Sequence, residues 1–359
     1  AYRRQRQMCI RDRSKMRRPL CVFCAGTLGL ELVCAFLPQT GRFVPFAAFF
    51  IAGLLWALAG RLRKSLAWGY GICLILGAAL GLVLTGSTQA KWDAIQTAYD
   101  GRSVLLEAEV ENTTSSYSPG RVRAVLQVKM VDREAAYLRV ECASLPACSP
   151  GDRVKGRFAL EMPDDTARLN ALADGIALNA AYEKGFALLG QSTSFCARTA
   201  RLQKRLSAAL RQGMASGPAG VLAAMVTGDR THLSKELRTA YRDAGLSHVL
   251  VVSGMHVSIL CGDVLGRLLP NRKKRLRGYT GRRVRALFSA VLALLLVGVT
   301  GFTPSVLRAA GAVWLSALGV WVYGPPDALT SLGVAGVLMT AGNSYAVCDV
   351  GFQLSFAES

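Results

Sequence analysis

Two of the chain's three histidines, His248 and His256, stand among Ser247, Ser253 and Ser258 in one apolar stretch, GLSHVLVVSGMHVSILC, residues 245–261. Imidazoles and hydroxyls together suit three tasks: nucleophilic catalysis, metal binding, or a polar stripe facing water inside a membrane. Helical geometry sorts them. Ser253 and His256, three apart, share a face, and His248 and His256 differ by only about 80° at roughly 100° per residue. Asp243, His248 and Ser253 form a triad by type, yet on a continuous helix they point about 140° apart in succession and do not converge. No GxSxG elbow is present. The histidine pair lacks the i, i+4 spacing of a zinc-binding helix and has no carboxylate on its face. A pore lining is the leading reading, histidines bonding neighbouring helices the second, catalysis the last. We assign no catalytic residue, no metal and no cofactor. The Ser253-Gly254 pair lets a neighbouring backbone approach or the helix bend.

Arg308, inside SVLRAAGAVWL, is as deep in an apolar run and must pair, snorkel or face water. Asp263 and Asp349 are its candidate partners. Cys142 and Cys148, in CASLPAC, are a candidate disulfide if their segment lies outside the cytoplasm.

The elements that position these residues follow from hydropathy and charge. The chain has 359 residues, 52% hydrophobic and 18% charged, with a net charge of +20. That apolar content excludes disorder, and ten cysteines in such a length exclude a small disulfide scaffold. The charge is concentrated: residues 1–18 carry a net +7, Arg61 to Lys64 +3, and Arg267 to Arg285 +9. Each block flanks a hydrophobic run, as cytoplasmic loops of a multi-pass membrane protein do. Runs at 20–37, 43–60 and 66–86 read as three spans, the third delivering the chain outside, and 246–269 returns it. Further apolar segments fall at 284–302, 305–323, 328–342 and 345–357. The opening AYRRQRQMCIRDRSK reads as a foreign stretch over 1–15, Met16 as the more natural start, and the far end as a truncation.

Residues 99–190 differ in kind. Period-two runs (SVLLEAEVE, RVRAVLQVKMV, YLRVECA, DRVKGRFAL), broken at SPG and SPGD, predict a small antiparallel β-barrel. Residues 191–245 read as basic amphipathic helices. One has an apolar stripe of Leu202, Leu206, Ala209 and Leu210, the other of Leu237, Ala240, Tyr241 and Ala244, closed by Gly245. Their cations Arg198, Arg201, Lys204, Arg205 and Arg211 are candidates for a DNA funnel. The fold class expected is a polytopic α-helical membrane protein with an inserted extracytoplasmic β-barrel. Its divisions are 16–98, 99–190, 191–245 and 246–359.

The stretch GDRTHLSKELRTAYRDAGLSHVLVVSGMHVSIL resembles the signature of the ComEC competence family. TPSVLRAA and DVGFQLSFA resemble that family's later elements, in the same order and spacing. ALADGIALNA closes a segment similar to its OB-like extracytoplasmic domain. The resemblance implies an inner-membrane channel for transforming DNA, with Gly228, Asp229, Arg230, Gly245, His248, Ser253, Gly254, His256, Arg308, Asp349 and Gln353 as pore or motif residues. It implies as partners single-stranded DNA, the lipid bilayer, the DNA receptor and translocation ATPase of the competence machinery, and further copies of the chain. The family's zinc-dependent nuclease domain would lie beyond this chain. Val251-Val252 and Asn343-Ser344 depart from the family pattern, and the second is expected to loosen its turn. An intramembrane hydrolase using Ser253 and His256, and a small-molecule secondary transporter, are the alternatives.

Overall fold

A computed structural model describes residues 18–37, 41–62, 68–115, 120–229, 233–246, 279–300, 304–322 and 328–357. Helices α1 (Pro19–Ala35), α2 (Phe43–Leu62) and α3 (Trp68–Tyr99) open it, with α1 and α2 both packed on α3. Small residues allow the backbones to meet. A methyl group on Gly77 would fall on the carbonyl of Phe23, and one on Gly26 would lie 2.7 Å from the carbonyl oxygen of Leu74. Thr27 Oγ1 donates across this contact to Gly77 O at 3.0 Å.

The apolar run behind α3 ends near residue 86, but the helix continues to Tyr99, 32 residues in all. At 1.5 Å per residue it is roughly 48 Å long. The segment STQAKWDAIQTAY (87–99) holds no Pro or Gly, so polarity changes while helix propensity persists. Among the described residues, α2 and α3 are the helices long and apolar enough to cross a bilayer. Phe50, Ile51, Leu54, Leu55, Trp56 and Leu58 stay exposed on α2.

Strands β1 (Ser103–Ser115), β2 (Arg121–Val131), β3 (Glu134–Pro146), β4 (Asp152–Glu161) and β5 (Leu178–Gln191) close into a barrel in the order β1-β2-β3-β5-β4. The β3–β5 pair is parallel, Val140 opposite Leu178, and the others are antiparallel. This is the five-stranded Greek-key arrangement of OB-type barrels. Alternation sends Val104, Leu106, Ala108 and Val110 of β1 inward, where they meet Leu126, Val128, Val140, Phe158, Leu160 and Leu178. The fifth strand escapes a period-two reading because only its first residues are buried in alternation, while Leu188 and Leu189 are exposed. Helix α4 (Asp165–Ala173) links β4 to β5.

After the barrel come α5 (Phe195–Arg211), α6 (Ser216–Thr227) and α7 (Lys235–Asp243), then α8 (Tyr279–Val299), α9 (Pro304–Trp321) and α10 (Ala328–Thr340). Ala293 and Val297 of α8 bury against Val306 and Ala310 of α9, and α10 packs back on α1. The run 345–357 is not one span. It divides into a 3-10 turn (Ser344–Cys348) and the eight-residue α11 (Val350–Ala357). Two Asx side chains force the division. Asn343 Oδ1 accepts from Tyr345 N, and Asp349 Oδ2 accepts from Phe352 N, so each begins a new element.

The barrel core should dominate local stability. Phe158 is wholly buried, so Phe158→Ala is expected to cost about 3–5 kcal/mol. Tyr137→Ala, at a side chain 75% exposed, should change stability by less than about 0.5 kcal/mol. Denaturant unfolding midpoints of the full chain in detergent measure both.

Candidate functional site

Residues far apart in sequence meet where α9, the 3-10 turn and α11 converge. Arg308 of α9 is 3% exposed. Its Nη2 donates to Gly351 O at 2.6 Å, and its Nη1 lies 3.5 Å from Asp349 Oδ2. The carbonyl bond is therefore the short one, and the carboxylate contact is long for a charge-assisted bond. The guanidinium also covers the ring of Phe352, 5.6 Å from its centroid. Asp349 accepts from the backbone N–H groups of Gly351 and Phe352, at 3.2 and 2.9 Å. Gln353 Nε2 donates to Val347 O at 3.2 Å and ties α11 to the turn before it. Of the two carboxylates open to Arg308, Asp349 is its partner here. Asp263 lies outside the described residues.

Asn343 begins the same turn and also reaches the barrel. Its Nδ2 donates to Leu172 O at 2.6 Å, at the end of α4. Ser344 N donates to Thr88 Oγ1 on α3 at 3.3 Å. A proline at 344 would have no N–H for that bond. Ser344 thus adds a tie to α3 that a proline there could not make. Asn before an apolar run is a helix-start signal readable from sequence, whereas nothing in the sequence pairs Asn343 with α4.

Gly228 ends α6 in the left-handed region, φ +76°, where a side chain would be strained. The following Asp229 accepts from Ser207 Oγ of α5 at 2.6 Å, and Gln203 Nε2 donates to Thr227 O at 2.6 Å. These bonds turn the small polar side of α5 inward. Ala197, Thr199 and Ser207 are buried, while Leu202 and Ala209 are exposed and Leu206 and Leu210 half-buried. The leucine stripe of this helix therefore faces outward, and Ala197, Thr199 and Ser207 form its packed side. Ser207 was missed because a lone serine in a basic helix carries no signal. Gly245 has φ +71°, and Gly245 N and Leu246 N bond back to Arg242 O and Tyr241 O to close α7. Residues Arg230, His248, Ser253, Gly254 and His256 lie outside the described residues.

The cations divide into two kinds. On the barrel wall Arg123 pairs with Glu141, Arg139 with Glu111 at 2.8 Å, and Lys155 with Glu107 at 2.6 Å. These three pairs neutralise part of that wall, on which Arg153, Arg157 and Lys184 also stand. On α5, Arg198 and Arg205 are exposed, and Arg201, Lys204 and Arg211 half-buried. Arg201 Nη1 donates to Gln191 Oε1 at 3.2 Å, and Arg211 Nε to Ser207 O at 3.3 Å. Among the described residues no cluster of His, Cys, Asp and Glu is arranged to hold a metal ion.

The candidate disulfide is not formed: Cys142 and Cys148 are free thiols. Cys142 is buried in the barrel core and Cys148 packs against that core. Burial raises the Cys142 thiol pKa, and burial, then Asp152, pushes Cys148 up to about 11.

Residues 225–359 match the family described as Competence protein. A stretch of 140 residues is 34% identical to "ComE operon protein 3" of Bacillus subtilis (strain 168), covering 39% of this chain and 17% of that relative's length. No solved structure matches.

Two outcomes test the geometry. Arg308→Ala removes the guanidinium from the Gly351 carbonyl and from Asp349, which keeps its two backbone donors, and is expected to cost about 1.5–3 kcal/mol, the range for hydrogen bonds to charged groups. Arg308→Lys should recover only part of that loss, because one ammonium cannot reproduce the fork; thermal unfolding in detergent measures both. In the folded chain, Cys148 should alkylate slowly near neutral pH and faster as pH rises toward 11. Denaturation without reductant should then release Cys142 and Cys148 together, whereas a bridged pair would release neither.

Proposed function

We propose, from the membership of residues 225–359 in the Competence protein family, that the chain forms the membrane channel component through which single-stranded transforming DNA crosses the cytoplasmic membrane. That family match is the observation that carries the reading. It spans Gly228, Asp229, Arg308, Asp349 and Gln353.

The physical demand is a path for a polyanion through a slab of low dielectric. A charged group in hydrocarbon is costly unless it faces water or a partner. A translocating strand therefore needs a continuous polar lining, and the stripe of Ser253 and His256 is our candidate for it. Arg308 and Asp349 serve in this reading as the brace that holds α9 against α11, because their polar atoms are directed at each other and at Gly351. Phosphate attraction is independent of base sequence and screened by salt, which suits uptake of any DNA. The cations of α5, a helix without an acidic residue, fit that role better than a barrel wall on which three cations pair with Glu.

Orientation follows from the charge blocks. With Arg61 to Lys64 and Arg267 to Arg285 on the cytoplasmic side, α3 leads outward and the barrel stands outside the membrane. The exposed Phe, Ile and Leu side chains of α2 then face lipid rather than water. A DNA receptor on the outer side and a translocation ATPase on the inner side are the partners this reading requires, with the assembly formed by more than one copy.

In transforming cells, His256→Ala is expected to lower uptake of labelled DNA by roughly tenfold or more, equivalent to about 1.4 kcal/mol on the translocation barrier. The protein level in the membrane should be unchanged. Normal uptake by that variant would remove the stripe from the path.

A further inference from the structure

The upper half of α3 borders a cavity of about 220 Å³ where the helices meet the barrel. Trp92 and Tyr345 supply ring walls, and Gln89, Asp93, Gln96 and Arg168 supply polar groups. The volume is below the roughly 300–1,000 Å³ of drug-sized sites, so it suits one ring system rather than a whole nucleotide. A more open recess of about 450 Å³ adjoins it, and Asp93, Gln96 and Arg168 line both spaces. Arg168 therefore stands at the boundary between closed and open space.

Two of these polar groups, Gln96 and Arg168, make only long hydrogen bonds. Gln96 Nε2 reaches Ala177 O at 3.4 Å, and Arg168 Nη2 reaches Gln96 Oε1 at 3.4 Å. Both lie beyond the usual range for such bonds and are easily exchanged for a ligand. Trp92 is 8% exposed, and its indole N–H has no acceptor among the described residues.

We propose that this cavity receives one base of a single strand. Trp92 and Tyr345 border its ring, and Gln89, Gln96 and Arg168 address its edge. Aromatic faces beside a cation are the recurring means of holding single strands, and amide edges are how extruded bases are read. Asp93, which lines both spaces, and Asp100, in the recess, argue against a phosphate or a lipid headgroup as the group held here. This inference rests on the DNA-transport reading and gives it a place of first contact, on the side where the barrel stands.

The test uses the full chain in phosphatidylcholine nanodiscs and a fluorescent oligothymidylate, against an abasic oligomer of equal length and charge. The abasic strand should bind roughly tenfold more weakly, as the loss of a stacked base implies. Gln89→Met, which fills the cavity, and Arg168→Ala should each remove most of that difference. Both positions lie outside the barrel core, so unfolding midpoints should not move. Equal binding of the two strands by the native chain would overturn the cavity and leave the transport reading standing. Failure to bind either strand would count against the transport reading itself. Unchanged strand binding in both variants, with altered binding of phosphatidylglycerol vesicles, would assign the cavity to a lipid headgroup and overturn the proposal.

Discussion

One continuous helix joins an apolar half to a polar half. The first half of α3 is packed by glycine contacts against α1 and α2, and its second half carries Trp92, Ile95 and Tyr99 to the barrel core. Because no residue breaks the helix between these halves, the position of the barrel relative to the bundle is set by helix geometry rather than by a linker. Everything above the apolar belt inherits that register. The 3-10 turn reinforces it, with Ser344 N on Thr88 of α3 and Asn343 on the end of α4.

The brace between α9 and α11 belongs to the same construction. Arg308 grips the Gly351 carbonyl more closely than it grips the Asp349 carboxylate, and Asp349 caps α11. The contact therefore works as a helix-terminus clasp, with Coulomb attraction as a secondary contribution. Such a clasp fixes α11 beside the turn that reaches the barrel. The barrel side and the C-terminal helices thus meet within a few residues of Asn343.

Sequence patterning made the barrel legible wherever burial alternates, in β1 to β4. It failed at β5, whose later residues expose both faces, and at the end of α3, where hydropathy changes while propensity does not. The run 345–357 misleads as a span because its apolar residues conceal two capping side chains. That Arg308 needs a partner was readable through cost alone, with Asp263 and Asp349 both open; among the described residues Asp349 is the one beside it. The Ser207–Asp229 bond and the inward face of α5 were not readable, because hydrophobic periodicity points to Leu202 and Leu206. The junction cavity was invisible to pattern reading, since its walls come from α3, α4 and the 3-10 turn.

Net charge says less about DNA than its size suggests. Most of the excess lies in blocks beside hydrophobic runs, and three cations of the barrel wall pair with Glu. The claim that the histidine stripe lines a path for DNA is then tested most directly by a photo-crosslinking residue at position 256 in cells taking up labelled DNA. The account predicts adducts to a single strand already protected from external nuclease. Efficient uptake with no adduct at that position, beside adducts elsewhere in the chain, would contradict it.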